Sequence, residues 1–270
     1  MSQKKSICIT GGASGMGLET GLFFSRKGWL VGLLDKDLAL LNEAAILFEP
    51  ETVMVAEVDV TSPENLDHAI NNFSIFSGGR LDIMFNNAGI APGGWFDEMD
   101  LLQMKQIIDV NVIGVFNSIL AALPLLKVTD NSLCLSTSSS CATFGHARRA
   151  AYTASKFAVK GLTESLSLEF ERFGVRTADI LPGCIDTPML RRETAQGAGK
   201  PFEEAMLENL PKEGAYRLMP PSAIAEAAWS AYQDSDPIHF YVPPEVAHAD
   251  KLKGSDISAA REEIKSFLFR

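Results

Sequence analysis

The stretch Ser6–Gly17, with the sequence SICITGGASGMG, decides the fold. Its first part, Ser6–Thr10, is a short apolar run followed at once by glycines, which predicts a buried strand. Apolar residues at helical spacing follow over Gly17–Lys27, and Gly28 predicts the C-terminal end of that helix. A strand, a glycine-rich turn and a helix in this order are typical of a phosphate-binding unit.

The same alternation continues outward from this stretch. Further strands are predicted over Leu30–Leu34, Thr52–Val58, Leu81–Asn86, Ser132–Thr137, Val175–Leu181 and Ile238–Val242, and further helices over Leu38–Phe48, Ser62–Phe76, Leu101–Leu125 and Ala150–Phe173. Strands that alternate with helices and are apolar throughout indicate a parallel sheet covered on both faces. We therefore expect an α/β fold: a single Rossmann-like, doubly wound domain over residues 1–270, with about seven strands.

Two segments depart from this pattern. Pro188–Pro221 is charged and rich in Gly and Pro, and a long insertion of this kind is typically functional. We expect a substrate lid at about 188–221, in which Phe202–Leu210 could form a short helix. A C-terminal tail at about 245–270 includes the helical pattern Ala260–Arg270, whose apolar end could pack on its own core or on a neighbouring subunit.

Composition excludes several classes of protein. The 270 residues are 46% hydrophobic and 21% charged, as in soluble globular proteins. The net charge of -10 argues against nucleic-acid binding, which needs clustered Lys and Arg. We find no apolar run of the length that spans a membrane, no signal peptide and no metal-ligand spacing. Four cysteines without CxxC spacing indicate reduced thiols and a cytoplasmic protein: Cys8, Cys134, Cys141 and Cys184.

The glycine-rich turn is the first candidate binding site. Gly11, Gly15 and Gly17 would let the backbone approach a pyrophosphate, and the helix N-terminus would supply N–H donors. Asp35 ends the second strand, where a carboxylate would accept hydrogen bonds from an adenosine ribose and repel a 2′-phosphate. Lys36 is a single base beside that acid, so we expect NAD rather than NADP. Asp37 is the competing residue for capping the next helix.

Tyr152 and Lys156 are candidate catalytic residues. They stand four apart in a helical pattern and so share one face of the helix. A nearby ammonium stabilises a phenolate, so Lys156 is expected to lower the pKa of Tyr152 and allow general acid–base work on an alcohol or ketone. Taken alone, this spacing is common on solvated helix faces.

In this context the whole series resembles the short-chain dehydrogenase/reductase family, over roughly residues 4–190. Thr10–Gly17 is similar to its TGxxxGxG loop, and Asn86-Asn87-Ala88-Gly89 to its NNAG motif. The remaining matches, in chain order, are Asp59-Val60 after the third strand, Asn111 in the fourth helix, a serine run after the fifth strand, Tyr152-Thr153-Ala154-Ser155-Lys156, and Pro182-Gly183 with Ile185 and Thr187.

The resemblance implies roles for these residues. Tyr152 would exchange a proton with the substrate oxygen, Lys156 would hold the nicotinamide ribose, and Asn111 would hold a water that links Lys156 to solvent. The family's serine lies thirteen residues before its tyrosine, which selects Ser139 and leaves Ser138 as runner-up. Cofactor-binding residues would be Gly11, Ser14, Gly15, Met16, Gly17, Asp35, Asp59, Val60, Asn87, Ala88, Gly89, Tyr152, Lys156, Pro182, Gly183, Ile185 and Thr187.

The implied activity is NAD-dependent interconversion of a secondary alcohol and a ketone. The alternatives are a dihydrodiol dehydrogenase, a C=C reductase, or a non-catalytic nucleotide-binding regulator. A largely apolar set of candidate wall residues favours a hydrophobic small-molecule substrate: Ala91, Pro92, Trp95, Cys141, Phe144, His146, Cys184, Met189 and Leu190. Arg148, Arg149, Arg191 and Arg192 could instead bind a carboxylate or be solvated. The resemblance also implies a homodimer or homotetramer through the two long middle helices.

Overall fold

The computed structural model describes residues 4–198, 201–208 and 210–268. Its strands are β1 (Ser6–Thr10), β2 (Leu30–Asp35), β3 (Val53–Glu57), β4 (Ile83–Asn86), β5 (Leu133–Thr137), β6 (Arg176–Pro182), β7 (Cys184–Ile185), β8 (Leu218–Met219) and β9 (His239–Val242). Within the described residues, seven of them form one parallel sheet in the order β3-β2-β1-β4-β5-β6-β9, and β7 pairs with β8. The predicted doubly wound α/β class is thus confirmed.

Helices cover both faces of the sheet. They are α1 (Gly15–Arg26), α2 (Leu38–Ala45), α3 (Pro63–Ser77), α4 (Leu101–Ile108), α5 (Gly114–Lys127), α6 (Ala150–Glu169), α7 (Pro188–Ala198), α8 (Ala205–Glu208), α9 (Ser222–Gln233), α10 (Val246–Ser255) and α11 (Ile257–Leu268). One apolar core joins the sheet to α1, α2 and α9, and a second joins it to α3, α5 and α6. The strand order reverses beside β1, so the carboxyl ends of β1 and β4 open a crevice.

Local sequence explains where several elements begin. Ser62 caps α3 by accepting a hydrogen bond from the Asn65 N–H at 3.3 Å, and Pro63 occupies the first helical position. Asp37 caps α2 in the same way, at 3.0 Å from the Leu40 N–H. At Gly17, a Cβ would stand 2.2 Å from the Gly11 carbonyl oxygen. Only glycine lets α1 pack this closely against the turn after β1.

The predicted helix Leu101–Leu125 is continuous from Leu101 to Lys127 but contains a π turn. A π turn over Asp109–Ile113 separates α4 from α5. The stretch Leu101–Lys127 is long and apolar enough to span a membrane by length and composition, which was not expected from the sequence. It packs against α3, α6 and the sheet, and 44% of its most apolar window is buried, as in a core helix.

The segment at about 188–221 is more regular than the sequence pattern indicated. Pro188 starts α7, α8 covers part of the predicted helix Phe202–Leu210, and β8 pairs with β7 near the end of the segment. The tail packs on its own chain, because Ala260 and Ile264 of α11 are buried. Residues 269–270, at the predicted apolar end, lie outside the described part of the chain.

Candidate active site

A crevice of about 760 Å³ lies at the carboxyl ends of the first four strands of the sheet. Gly11 and Gly15 line it with φ angles of 65° and 54°, in the left-handed region that favours glycine. A Cβ on Gly11 would stand 2.9 Å from the Ala88 Cα. Eleven of the predicted cofactor residues line this crevice: Gly11, Ser14, Gly15, Met16, Asp35, Asp59, Val60, Asn87, Ala88, Gly89 and Thr187.

Two carboxylates stand on the far rim of the crevice. Asp35 accepts hydrogen bonds from the Ala13 N–H at 3.1 Å and the Asp37 N–H at 3.2 Å. Two carboxylate oxygens offer about four acceptor sites, so Asp35 keeps capacity for further donors. Hydrogen bonds from the Thr61 hydroxyl and N–H lower the pKa of Asp59 below its ordinary value. Asp35 and Asp59 thus both line the crevice as hydrogen-bond acceptors.

Asn87 ties the turn after β1 to the end of β4. Its amide donates to the carbonyl oxygens of Thr10 at 3.1 Å and Gly11 at 3.2 Å. The N–H groups of Asn87 and Ala88 both donate to the Thr10 hydroxyl. These bonds hold the glycine-rich turn at a fixed distance from the next strand. The NNAG stretch thus shapes the crevice as well as lining it.

A second, smaller cavity of about 190 Å³ adjoins the crevice, and Met16 and Thr187 line both. Tyr152 and Ser139 line it together. Other predicted residues also line it: Ser138, Pro182, Gly183 and Ile185, the substrate-wall candidates Cys141, His146, Cys184, Met189 and Leu190, and Arg149. Gly17, Asn111 and Lys156 line neither cavity, since Gly17 lies beneath the turn and the other two are buried behind the wall.

The hydroxyl groups of Ser138 and Ser139 point to different partners. The Ser138 hydroxyl donates to the backbone carbonyl of Lys156 at 3.0 Å, so this hydrogen bond lies within the fold and not toward a substrate. The Ser139 hydroxyl accepts from the Cys141 N–H at 3.1 Å, and its hydrogen bond with the Tyr152 hydroxyl lowers the pKa of Tyr152. Geometry therefore favours Ser139, the residue that the family spacing selects.

The pKa of Tyr152 departs from the sequence-based expectation. Burial of the ring raises it above the ordinary value, and Ser139 opposes this only in part. The Lys156 ammonium lies 5.6 Å from the Tyr152 ring centroid and donates its hydrogen bond to the Thr137 carbonyl at 2.7 Å. Burial also lowers the pKa of Lys156 to about 8. The Tyr152 hydroxyl is consequently protonated at neutral pH.

Asn111 stands at the centre of the π turn and is fully buried. Its amide oxygen accepts from the Ile90 N–H at 2.8 Å, and its amide nitrogen donates to the Ile90 carbonyl at 2.9 Å and the Ser155 hydroxyl at 3.0 Å. A Cβ on Gly89 would meet both the Asn111 oxygen and the Lys156 ammonium, at 3.2 and 3.7 Å. Asn111 thus joins Ile90, the residue after the NNAG segment, to Ser155 of α6, the residue before Lys156.

Several predicted wall residues lie elsewhere. Ala91, Pro92, Trp95 and Phe144 line neither cavity. The Ala91 carbonyl is instead held by the Arg149 guanidinium at 2.8 Å, and Trp95 is 45% exposed. Arg191 pairs with Asp186 and Glu204 outside both cavities, whereas Arg192 lines the crevice.

The sequence analysis missed Glu193 and Tyr216, which complete a polar wall of the smaller cavity. Glu193 pairs with Arg149 at 2.7 Å, and the Tyr216 hydroxyl lies 3.3 Å from the His146 Nε2. Burial lowers the pKa of His146 to about 4, so its ring is neutral. Both missed residues belong to the segment after β7, where the sequence offers a charged stretch without a motif.

The chain belongs to the short-chain dehydrogenase family, whose model matches residues 5–198. It is 30% identical to secoisolariciresinol dehydrogenase of Forsythia intermedia, with 75% of this chain and 73% of the relative covered. It is 32% identical to 3-alpha-(or 20-beta)-hydroxysteroid dehydrogenase of Mycobacterium tuberculosis, with 68% and 70% covered. Membership makes it an oxidoreductase with a nucleotide-binding Rossmann-type fold.

Solved structures share the fold. Levodione reductase superposes with a TM-score of 0.82 at 23% identity, covering 91% of this chain and 97% of its own. The 3-ketoacyl-(acyl-carrier-protein) reductase from Brucella melitensis, complexed with NADH, gives 0.76 at 24% identity and covers 89% and 98%. The alcohol dehydrogenase of Thermococcus sibiricus, complexed with 5-hydroxy-NADP, gives 0.73 at 24% identity and covers 88% and 94%. Both dinucleotide types therefore occur among structural neighbours.

Proposed function

We propose that the protein is an NAD-dependent oxidoreductase that interconverts a secondary alcohol and a ketone, with Tyr152 as general acid and base. The observation that carries the proposal is that Tyr152 and Ser139 line one cavity, which adjoins the crevice of the glycine-rich turn. A substrate in this cavity would lie beside a dinucleotide in the crevice. Family membership supplies the oxidoreductase class, and the site residues supply the finer assignment.

The crevice fits a dinucleotide because Gly11 and Gly15 hold left-handed conformations where α1 begins. The N–H groups there would bind the pyrophosphate, and Arg192 would offset part of its charge. Asp35 would accept hydrogen bonds from the adenosine ribose and disfavour a 2′-phosphate, which supports NAD over NADP. When bound, the cofactor would supply or accept the hydride. Asp59 and Val60 would contact the adenine side, and Pro182, Gly183, Ile185 and Thr187 the nicotinamide side.

The protein's own contribution is proton transfer and orientation. In ketone reduction, the protonated Tyr152 would donate its proton to the substrate oxygen while Ser139 donates a hydrogen bond to the same oxygen. Lys156 would hold the nicotinamide ribose and, as an ammonium, offset the charge of the phenolate. Asn111 would position a water that links Lys156 to solvent. Oxidation of the alcohol would use the same groups in reverse.

We place these steps in one catalytic domain over the whole chain, with the segment at about 188–221 as a lid on the smaller cavity. The assembly would be a homodimer or homotetramer of a cytoplasmic protein, in keeping with a family whose members are usually oligomeric.

The test is NADH oxidation with a panel of small ketones, measured for the natural sequence and for Tyr152→Phe. The variant is expected to lose roughly 10²- to 10⁴-fold in kcat, because the proton donor is gone, while it still binds NADH. NADPH should bind more weakly than NADH. Full turnover by Tyr152→Phe would overturn the mechanism, and tighter binding of NADPH would overturn the cofactor assignment.

A further inference from the structure

The smaller cavity carries a charged pair beside the catalytic tyrosine. Arg149 and Glu193 both line it, and the guanidinium holds the Glu193 Oε2 at 2.7 Å. The Arg149 guanidinium also donates to the Ala91 carbonyl at 2.8 Å, so it is anchored on two sides. The negative charge of Glu193 contributes to the raised pKa values of Tyr152 and Cys141, which places the carboxylate close to both.

The second oxygen of Glu193 is the feature that requires an explanation. Its Oε1 atom is buried and accepts no hydrogen bond within the described residues. A buried acceptor without a donor costs free energy, and this cost is greater for a charged group. Glu193 lines the cavity, so a bound molecule whose hydrogen-bond donor reaches Oε1 would remove that cost.

Charge decides what kind of donor fits. Arg149 and Glu193 already neutralise each other, and Lys156 is buried behind the same wall. An ammonium on the substrate would add a cation to this region. A carboxylate could reach Arg149 only by displacing Glu193, which would leave a buried carboxylate unpaired. A neutral hydroxyl donates to Glu193 Oε1 without disturbing the pair.

The volume of the smaller cavity bears on the size of the substrate. The cavity measures about 190 Å³, whereas pockets for drug-sized ligands measure about 300–1,000 Å³. The cavity therefore suits a small substrate, whose hydroxyl would lie near the carbonyl that faces Tyr152 and Ser139.

We propose that the substrate is a small hydroxy ketone, or the corresponding vicinal diol, whose hydroxyl donates a hydrogen bond to Glu193. This inference rests on the proposed function, because it assumes that a carbonyl is reduced at Tyr152. The sequence favours a hydrophobic substrate, whereas the substrate proposed here carries a polar group on the side that faces Glu193 of α7.

Two isosteric ketones test the inference in the natural protein. With NADH, 3-hydroxybutan-2-one should be reduced with a kcat/KM roughly 10- to 100-fold higher than 3-methylbutan-2-one, as expected for a hydrogen bond to a charged acceptor. Equal values for the two ketones would overturn the inference and leave the proposed function intact. Reduction of cyclohexanone but of neither small ketone would likewise overturn the inference and leave the proposed function intact. If no ketone is reduced although NADH binds, both proposals fail.

Variants assign the preference to Glu193. Glu193→Gln should lower the ratio of the two kcat/KM values about tenfold, because a neutral acceptor forms the weaker bond. The double variant Arg149→Met/Glu193→Met makes the wall apolar and should bring the ratio to one or below. Glu204→Gln changes an exposed carboxylate outside the cavity and should keep the natural ratio. An unchanged ratio in the double variant would overturn the role of Glu193, and the ratio does not depend on how much enzyme is folded.

Discussion

Lys156 places a charge where water has little access. Its side chain is 4% exposed, and burial lowers the pKa of the ammonium from 10.5 to about 8. Each pKa unit corresponds to about 1.4 kcal/mol, so at neutral pH the buried ammonium costs the folded state on the order of 3 kcal/mol. The hydrogen bond to the Thr137 carbonyl offsets only part of this cost. The proposed role of the Lys156 charge at Tyr152 would account for why the fold keeps this costly ammonium.

Lys156→Met is therefore expected to abolish turnover yet raise the free energy of unfolding at pH 7 by about 1–3 kcal/mol. The folded pKa is depressed, so the cost is fully present below pH 8 and fades as pH rises toward 10.5. Chemical denaturation of both proteins at pH 7 and pH 10 measures the difference. A variant that is less stable than the natural protein at pH 7 would contradict this account.

Single side chains were predictable from sequence only where a motif fixes their spacing. Tyr152, Lys156 and Ser139 follow from one helix and one strand end, and the structure brings Tyr152 and Ser139 to a common cavity. Glu193 and Tyr216 reach that cavity from a later segment without a motif. The raised pKa of Tyr152 was also missed, because the desolvation of its ring depends on packing that no local pattern encodes.

Among the elements, β6, β9 and α6 share a buried ionic network. His239 of β9 binds Asp179 of β6 through Nδ1 at 2.6 Å and Glu164 of α6 through Nε2 at 3.2 Å. Burial lowers the pKa of His239, but the hydrogen bond and charge of Asp179 outweigh it, so the net pKa is raised above 6.5. The pKa of the Asp179 carboxyl is also raised, in this case because burial disfavours its charged form. The pair therefore holds a proton more tightly when the protein is folded.

A raised pKa gives stability that is present below pH 6.5 and is lost as pH rises through the folded pKa of His239. The free energy of unfolding of the natural protein, and with it the Tm, should fall between pH 6 and pH 8.5. Asp179→Asn/His239→Gln keeps the shapes but cannot titrate, and should flatten this dependence. His68→Gln, at an exposed histidine, should keep it. Equal slopes in all three proteins would refute the assignment.

Elements with a clear pattern of large apolar residues were predicted well, and elements without such a pattern were not. The strand Ser6–Thr10 is confirmed over its full length. The helix α7 was predicted only as part of a lid segment that is charged and rich in Gly and Pro, although Pro188 at its first position favours a helix start. The helix α9 went unpredicted because its buried face is largely alanine, namely Ala225, Ala228 and Ala231. The π turn at Asn111 arises from hydrogen bonds to Ile90, which is distant in sequence.

At the scale of the whole molecule, the two long middle helices expose an apolar stripe; one helix runs from α4 through the π turn to α5, and the other is α6. Leu102, Ile113, Phe116 and Leu120 follow one another along α4, the π turn and α5, and Leu168 lies on α6. Leu102, Leu120 and Leu168 are 72%, 68% and 74% exposed. Ile113, Phe116 and Leu120 recur at helical spacing, so they form one face. A contiguous exposed apolar face of this kind marks a contact surface, and it belongs to the helices through which we propose that subunits associate.

Burying Leu120 against a second copy would contribute about 1.5–3 kcal/mol, twice over in a two-fold interface. Light scattering coupled to size exclusion should show a dimer or tetramer at micromolar concentration. Leu120→Glu should weaken the assembly at least tenfold, because each interface would bury two unpaired carboxylates. Ile46→Glu changes an equally apolar side chain, 83% exposed at the end of α2 and outside the stripe, and should leave the mass unchanged. A monomeric natural protein, or an assembly unaffected by Leu120→Glu, would exclude this face as the subunit contact.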